Sequence, residues 1–279
     1  MQLTKPITYL FAALMLVMVQ LAVVQKASAA LTIEISEGVD SALPIAVVPF
    51  DTSGVTVKFP IDLAQIVASD LNRSGVLKAM DRAQLPATPH YSKQVQYARW
   101  RNAEQDYLVV GRVLEKSPGL YTIEFQLLDV LKQKQLVGRS MPAKKRNLRS
   151  RAHQISDFIY EQITGTRGAF DTRIAFVRAQ PDAARKYVLQ VADTDGFNPQ
   201  NVLESDEPIM SPSWSPDGKH IAFVSNRTEH PDRNRNTELW LLDIATDQSE
   251  PRQLTFNSFQ DASPAWSPDG KHLAYTTAA

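Results

Sequence analysis

The sequence predicts an α/β N-terminal domain with a small mixed sheet, followed by an incomplete all-β propeller built from four-stranded blades. Three observations predict it. The hexapeptide Trp-Ser-Pro-Asp-Gly-Lys occurs at 214–219 and again at 266–271. Between about residues 44 and 165, strand-like and helix-like apolar periods follow one another. Past Gly165-Thr-Arg-Gly168 the helical period disappears and every apolar run is short.

Composition narrows the function classes. Apolar residues make up 43% of the 279 and charged residues 22%, which is globular usage. Lys plus Arg equal Asp plus Glu at 30 each, so charge points to neither a nucleic-acid binder nor an acidic tail. The chain has no cysteine, which excludes disulfides, thiolate metal sites and a cysteine nucleophile.

The N-terminus reads as an export signal over 1–29. Lys5 supplies a positive start, Ile7 to Val24 is apolar except for Thr8 and Gln20, and Ala27-Ser28-Ala29 offers small residues for cleavage after Ala29. A retained membrane anchor is the rival reading, because the run nears the length that spans a bilayer. Cleavage removes only Lys5 and Lys26 among charged residues. A nearly neutral periplasmic chain without stable membrane insertion is expected. Leu31, Ile33 and Ile35 then alternate with Thr32, Glu34 and Ser36, a short strand pattern.

The elements of the α/β domain follow in order. Leu43 to Phe50 is a valine-rich run bounded by Pro49 and an Asp51–Gly54 turn, which reads as a buried strand. Residues 61–72 place Ile61, Ala64, Val67, Ala68 and Leu71 on one helical face, with Gly75 as stop. Val76 to Met80 reads as a short strand, 93–104 as a weak helix, and Tyr107 to Val113 as a strand. Tyr121, Ile123, Phe125 and Leu127 alternate with polar residues, and Gln135 to Met141 is the hairpin partner. Leu148, Ala152, Ile155, Ile159 and Ile163 define a closing helix.

The repeat organises the rest. Met210–Ser225 matches Ala262–Thr277 at an offset of 52, and Tyr187–Asp193 parallels Leu239–Ala245 at the same offset. Arg173–Val177 is a degenerate copy of His220–Val224. In each hexapeptide, Pro216 sets φ for a turn, Asp217 bonds back to nearby backbone, and Gly218 takes a positive φ. Ile221–Val224 is apolar on both faces, as a blade between two neighbours requires.

Few motifs suggest chemistry. There is no G-x-S-x-G elbow, H-E-x-x-H pair or phosphate loop, so no catalytic, cofactor-binding or metal residues are expected. His90, His153 and His230 stand alone, and His220 and His272 read as one surface position repeated. Asp193-Thr-Asp195-Gly196 partly resembles a calcium loop, with Glu204 twelfth, but Asn198 replaces its glycine and flanking helices are missing. A hairpin turn paralleling 246–248 explains it more simply. The basic run Lys144–Arg151 reads as a solvated face, with an acidic protein or anionic envelope surface as the alternative.

The paired S-P-x-W-S-P-D-G-K units behind an α/β domain and a signal peptide resemble the TolB family of the Tol-Pal envelope system. Glu37–Phe50, Leu77–Pro86 and Gly168–Phe176 also resemble that family closely. The resemblance implies a six-bladed propeller, so two blades and the start of a third are expected to be part of a longer protein. It divides the chain into 1–29 signal, 30–43 partner-binding segment, 44–167 α/β domain and 168–279 partial propeller. It also implies a monomeric, non-enzymatic adaptor between inner-membrane TolA and the outer-membrane lipoprotein Pal, serving envelope integrity and cell division. The TolA C-terminal domain would take Leu31, Thr32, Ile33, Glu34, Ile35, Ser36, Glu37, Gly38, Val39 and Asp40, a segment able to add to a sheet edge. Pal would take a propeller face that includes Glu207, Pro208, Gln260 and Asp261. The alternative is the propeller-bearing N-terminal part of an exported serine peptidase.

Overall fold

The computed structural model describes residues 42–180, 186–227, 236–246 and 250–278. The expected signal over 1–29 and the segment Leu31 to Asp40 lie outside the described residues, as do His230 and Asp247-Gln248. No helix among the described residues is long and apolar enough to cross a membrane.

Strands β1 (Leu43–Val47) and β2 (Asp51–Gly54) form one extended run interrupted at Pro49, which has no N–H to give the ladder. Both lie parallel to β4 (Tyr107–Ser117): Ile45 to Val47 face Tyr107 to Val109, Asp51 faces Arg112 and Gly54 faces Leu114. Residues 51–54 are therefore a strand and not the expected turn. After Pro49 the chain rejoins the same β4 edge, and Gly54 fits there because a Cβ would stand only 3.3 Å from Leu114 Cδ2. β3 (Leu77–Ala79) pairs parallel on the other side of β1. β5 (Leu120–Asp129) and β6 (Lys134–Lys144) continue antiparallel from β4. The sheet is mixed, in the order β3-β1-β4-β5-β6 with β2 beside β4.

Helices cover both faces of this sheet. Helix α1 (Leu63–Arg73) starts where the Asp62 carboxylate accepts the Gln65 N–H at 3.0 Å, and it buries Leu63, Ala64, Val67 and Leu71. The 93–104 helix contracts to α2 (Tyr97–Asn102), behind a 3-10 turn at Ser92–Gln94. Helix α3 (Leu148–Thr164) buries Leu148, Ala152, Ile155 and Ile159, and ends at Gly165 with φ 75°. Helices α1 and α3 pack against Ile45, Val47, Val109, Ile123 and Phe125. The opposite face, with Ala46, Val48, Leu108 and Val110, lies under the fully buried Trp100 of α2. Strand β1 is thus buried on both sides, as its unbroken apolar run requires.

The remaining described strands form propeller blades. β7 (Arg173–Ala179), β8 (Tyr187–Asp193) and β9 (Gln200–Ser205) make a three-stranded sheet. β10 (Met210–Trp214), β11 (His220–Ser225), β12 (Glu238–Asp243) and β13 (Arg252–Gln253) make a four-stranded one. β14 (Gln260–Trp266) and β15 (Leu273–Ala278) pair as a third sheet. Arg173 faces Asp193 as His220 faces Asp243, so the degenerate copy occupies the β11 position of its own blade. The first two sheets share a core of Leu189, Val191, Ile209, Ile221, Phe223 and Leu242.

Candidate functional site

The hexapeptide builds the same hairpin twice. Asp217 Oδ1 accepts the Ser215 hydroxyl at 2.6 Å and the Lys219 N–H at 3.0 Å, the His220 N–H reaches Ser215 Oγ at 2.9 Å, and Gly218 has φ 67°. Ser267, Asp269, Lys271 and His272 repeat these bonds at 2.6, 3.1 and 3.0 Å around Gly270, φ 69°. The Ser hydroxyls, then the Lys N–H groups, hold both Asp carboxyls below their usual range. The tryptophans close seams between sheets. Trp266 Nε1 donates to Ser213 O at 3.2 Å, and the Arg173 guanidinium lies 5.0 Å over the Trp214 ring. The motif therefore positions blades, and His220 and His272 flank its turns.

The expected partner face lies where the chain enters β10 and β14, which pack against each other. The Glu207 N–H donates to Ser205 Oγ at 3.1 Å, and the Pro208 carbonyl accepts from Ser225 Oγ at 2.6 Å. Gln260 is exposed. Asp261 is not: it is fully buried, its N–H bonds to Thr237 O at 2.8 Å, and its carboxylate accepts from Asn257 Nδ2 at 2.8 Å. Its side chain shapes the 257–261 loop from within. The structure adds Phe256, 79% exposed, and Phe259, exposed beside Gln260. Their place in a loop between β13 and β14 was the available signal. Both entering strands also carry a bulge in which a serine takes a left-handed backbone, Ser211 at φ 47° and Ser263 at φ 54°.

A second polar cluster forms where α3 meets the first blade. Asp70 on α1 is fully buried and accepts from His153 Nδ1 at 2.7 Å, Ser156 Oγ at 2.8 Å and Arg73 Nη2 at 2.9 Å. His153 Nε2 faces Asp195 Oδ2 at 3.9 Å. Arg149 donates to Asp195, lies 3.6 Å from Asp193 Oδ2, and stacks 3.8 Å over the Phe197 ring. Burial pushes the His153 pKa down, but the bond to Asp70 and the charges of Asp70 and Asp195 outweigh it and hold the value above normal. Burial also pushes the Asp195 carboxyl up, which the Phe197 N–H and the Arg149 guanidinium reverse, leaving it below normal. Arg149 of the basic run is thus drawn into this contact and away from solvent. The Asp193–Gly196 stretch is a hairpin turn, closed by Gly196 N–H to Asp193 O at 2.8 Å.

Comparison with known proteins agrees with this architecture. Residues 31–136 match the TolB amino-terminal domain family and residues 160–279 the TolB beta propeller domain family. The chain is 42% identical over 247 residues to the Tol-Pal system protein TolB of Xanthomonas oryzae pv. oryzae, covering 88% of this chain and 54% of that protein. It is also 42% identical over 225 residues to the Tol-Pal system protein TolB of Thioalkalivibrio sulfidiphilus, covering 80% of this chain and 50% of that protein. The crystal structure of TolB from Acinetobacter baumannii superposes with a TM-score of 0.72 at 35% identity, over 88% of this chain and 57% of that one. The chain spans about half the length of the curated relatives it matches. With an α/β domain followed by blades that carry the repeated Trp-Ser-Pro-Asp-Gly hairpin, the chain belongs to the TolB family.

Proposed function

We propose that the chain works as a periplasmic, monomeric, non-enzymatic adaptor of the Tol-Pal system, linking TolA to Pal in support of envelope integrity and cell division. The observation that carries this reading is the pair of Trp-Ser-Pro-Asp-Gly hairpins behind an α/β domain, in a chain 42% identical to Tol-Pal system proteins. The working division is a signal over 1–29, a partner segment over 30–43, an α/β domain over 44–167 and blades from 168. Leu31 to Asp40 supply an alternating apolar edge for the TolA C-terminal domain. Glu207, Pro208 and Gln260 belong to the face offered to Pal. The exposed Phe256 and Phe259 give that face the aromatic surface on which protein contacts concentrate. Asp261 acts there by holding the loop. The relatives described above are Tol-Pal proteins, and none favours the peptidase alternative.

The test is calorimetry of the TolA C-terminal domain against the chain with and without residues 30–41. Loss of the binding isotherm on deletion is expected. Unchanged affinity would remove the N-terminal segment from the mechanism.

A further inference from the structure

We propose that His153, Asp193 and Asp195 form a site for one divalent transition-metal ion that clasps helix α3 to the first propeller blade. One ligand atom from each residue lies within 4.8 Å of the others, and imidazole with carboxylate is a donor set that suits Zn²⁺. A second, independent observation concerns the histidine itself. The His153 side chain is 2% exposed, and its buried Nε2 has no hydrogen-bond partner, an arrangement that is costly when nothing fills it. That nitrogen faces Asp195 Oδ2 at 3.9 Å. Two bonds of 2.0–2.1 Å at a tetrahedral ion set a ligand separation of about 3.3 Å, so for this pair a closing movement of roughly half an ångström suffices.

The surroundings already have the form of an outer shell. His153 Nδ1 is bonded to the Asp70 carboxylate, which Ser156 and Arg73 hold in place. A carboxylate on the far nitrogen fixes the tautomer that leaves Nε2 free for a metal and raises its basicity. Arg149 is the competitor, since its guanidinium occupies the same Asp195 oxygen that faces Nε2. Its side chain is 23% exposed and rests 3.8 Å over the Phe197 ring, and an entering ion would displace it outward. In sequence His153 stands 40 residues before Asp193, and only the docking of blade on helix brings it to the two aspartates.

Titration of ZnCl₂ into the untagged full chain, stripped with EDTA and exchanged into neutral buffer, tests the site. One saturable equivalent is expected, and Co²⁺ in its place should give the visible absorption of a four-coordinate site. Asp195→Asn, at a partly exposed ligand where folding is checked by circular dichroism, is expected to weaken Zn²⁺ binding at least tenfold. Asp70→Asn is expected to weaken it by about 10–100-fold through loss of the outer shell. Arg149→Gln is expected to tighten it. Absence of a saturable equivalent, or binding that Asp195→Asn leaves unchanged or Arg149→Gln fails to tighten, would overturn the proposal.

Discussion

Replacing Asp70 with alanine removes the anchor of the buried cluster between the two helices. The Asp70 side chain is 1% exposed and His153 2%, so the truncation strands a buried imidazole N–H. Ser156 loses less, because its hydroxyl also donates to Ala152 O at 3.1 Å. Arg73, 39% exposed at its side chain, contributes no more than about 1 kcal/mol as a screened pair. Breaking one partner of a buried pair costs about 3–5 kcal/mol, which for a chain of this size lowers Tm by roughly 6–20 °C. The pH dependence has a definite sign. The folded pKa of His153 is raised above its unfolded value, so its pairing with Asp70 stabilises fully below the unfolded pKa of about 6.5. That contribution fades as pH rises through the folded value. Urea unfolding in EDTA, followed by far-ultraviolet circular dichroism and tryptophan fluorescence, gives the difference between wild type and Asp70→Ala at each pH. A loss under about 1 kcal/mol, or a difference that grows with rising pH, would refute the assignment of Asp70 and His153 as a stabilising pair.

Two further outcomes follow from local geometry. In Gly168→Ala the new Cβ would stand 2.4 Å from Asp157 Oδ1 and 2.7 Å from Asp157 Cα, so an expected loss of about 1–3 kcal/mol should appear in thermal unfolding together with faster proteolysis over 165–172; an unchanged Tm would show that the link relaxes freely. Asp217 and Asp269 have depressed pKa values in the folded chain, so their turns stabilise above the unfolded value and lose that contribution as pH falls through the folded one; the double Asp→Ala variant should lose part of the acid-side pH dependence of stability, and an identical acid limb would contradict the turn chemistry.

Local rules reached far into this fold. The turn at Gly218 and Gly270 was legible because Pro, Asp and Gly each act within four residues, and the bonds that Asp217 and Asp269 accept stay inside that span. The buried faces of α1 and α3 were legible from spacing alone. What escaped depends on partners distant in sequence. Residues 51–54 carry turn chemistry, yet β4 recruits them as a strand. Asp261 looks like a surface acid until Thr237 and Asn257 are placed around it. Ser211 and Ser263 take a left-handed backbone that a serine does not announce. His153, Asp193 and Asp195 become neighbours only after the helix and the blade meet.

The Trp266 bond to Ser213 makes its seam asymmetric, because the sheet of β10 to β13 is latched by a residue from the sheet that follows it. The preceding seam is closed in the opposite sense, with Arg173 of the earlier sheet resting on Trp214 of the next and donating to Gly218 O at 3.3 Å, while the buried Trp214 Nε1 has no hydrogen-bond partner. Both contacts fall on the strand that carries Trp214 or its hairpin, so that hairpin is the shared anchor of two seams. The middle sheet is thus clamped from both sides, and order should spread along such an array from neighbour to neighbour, with stability set by the number of closed seams.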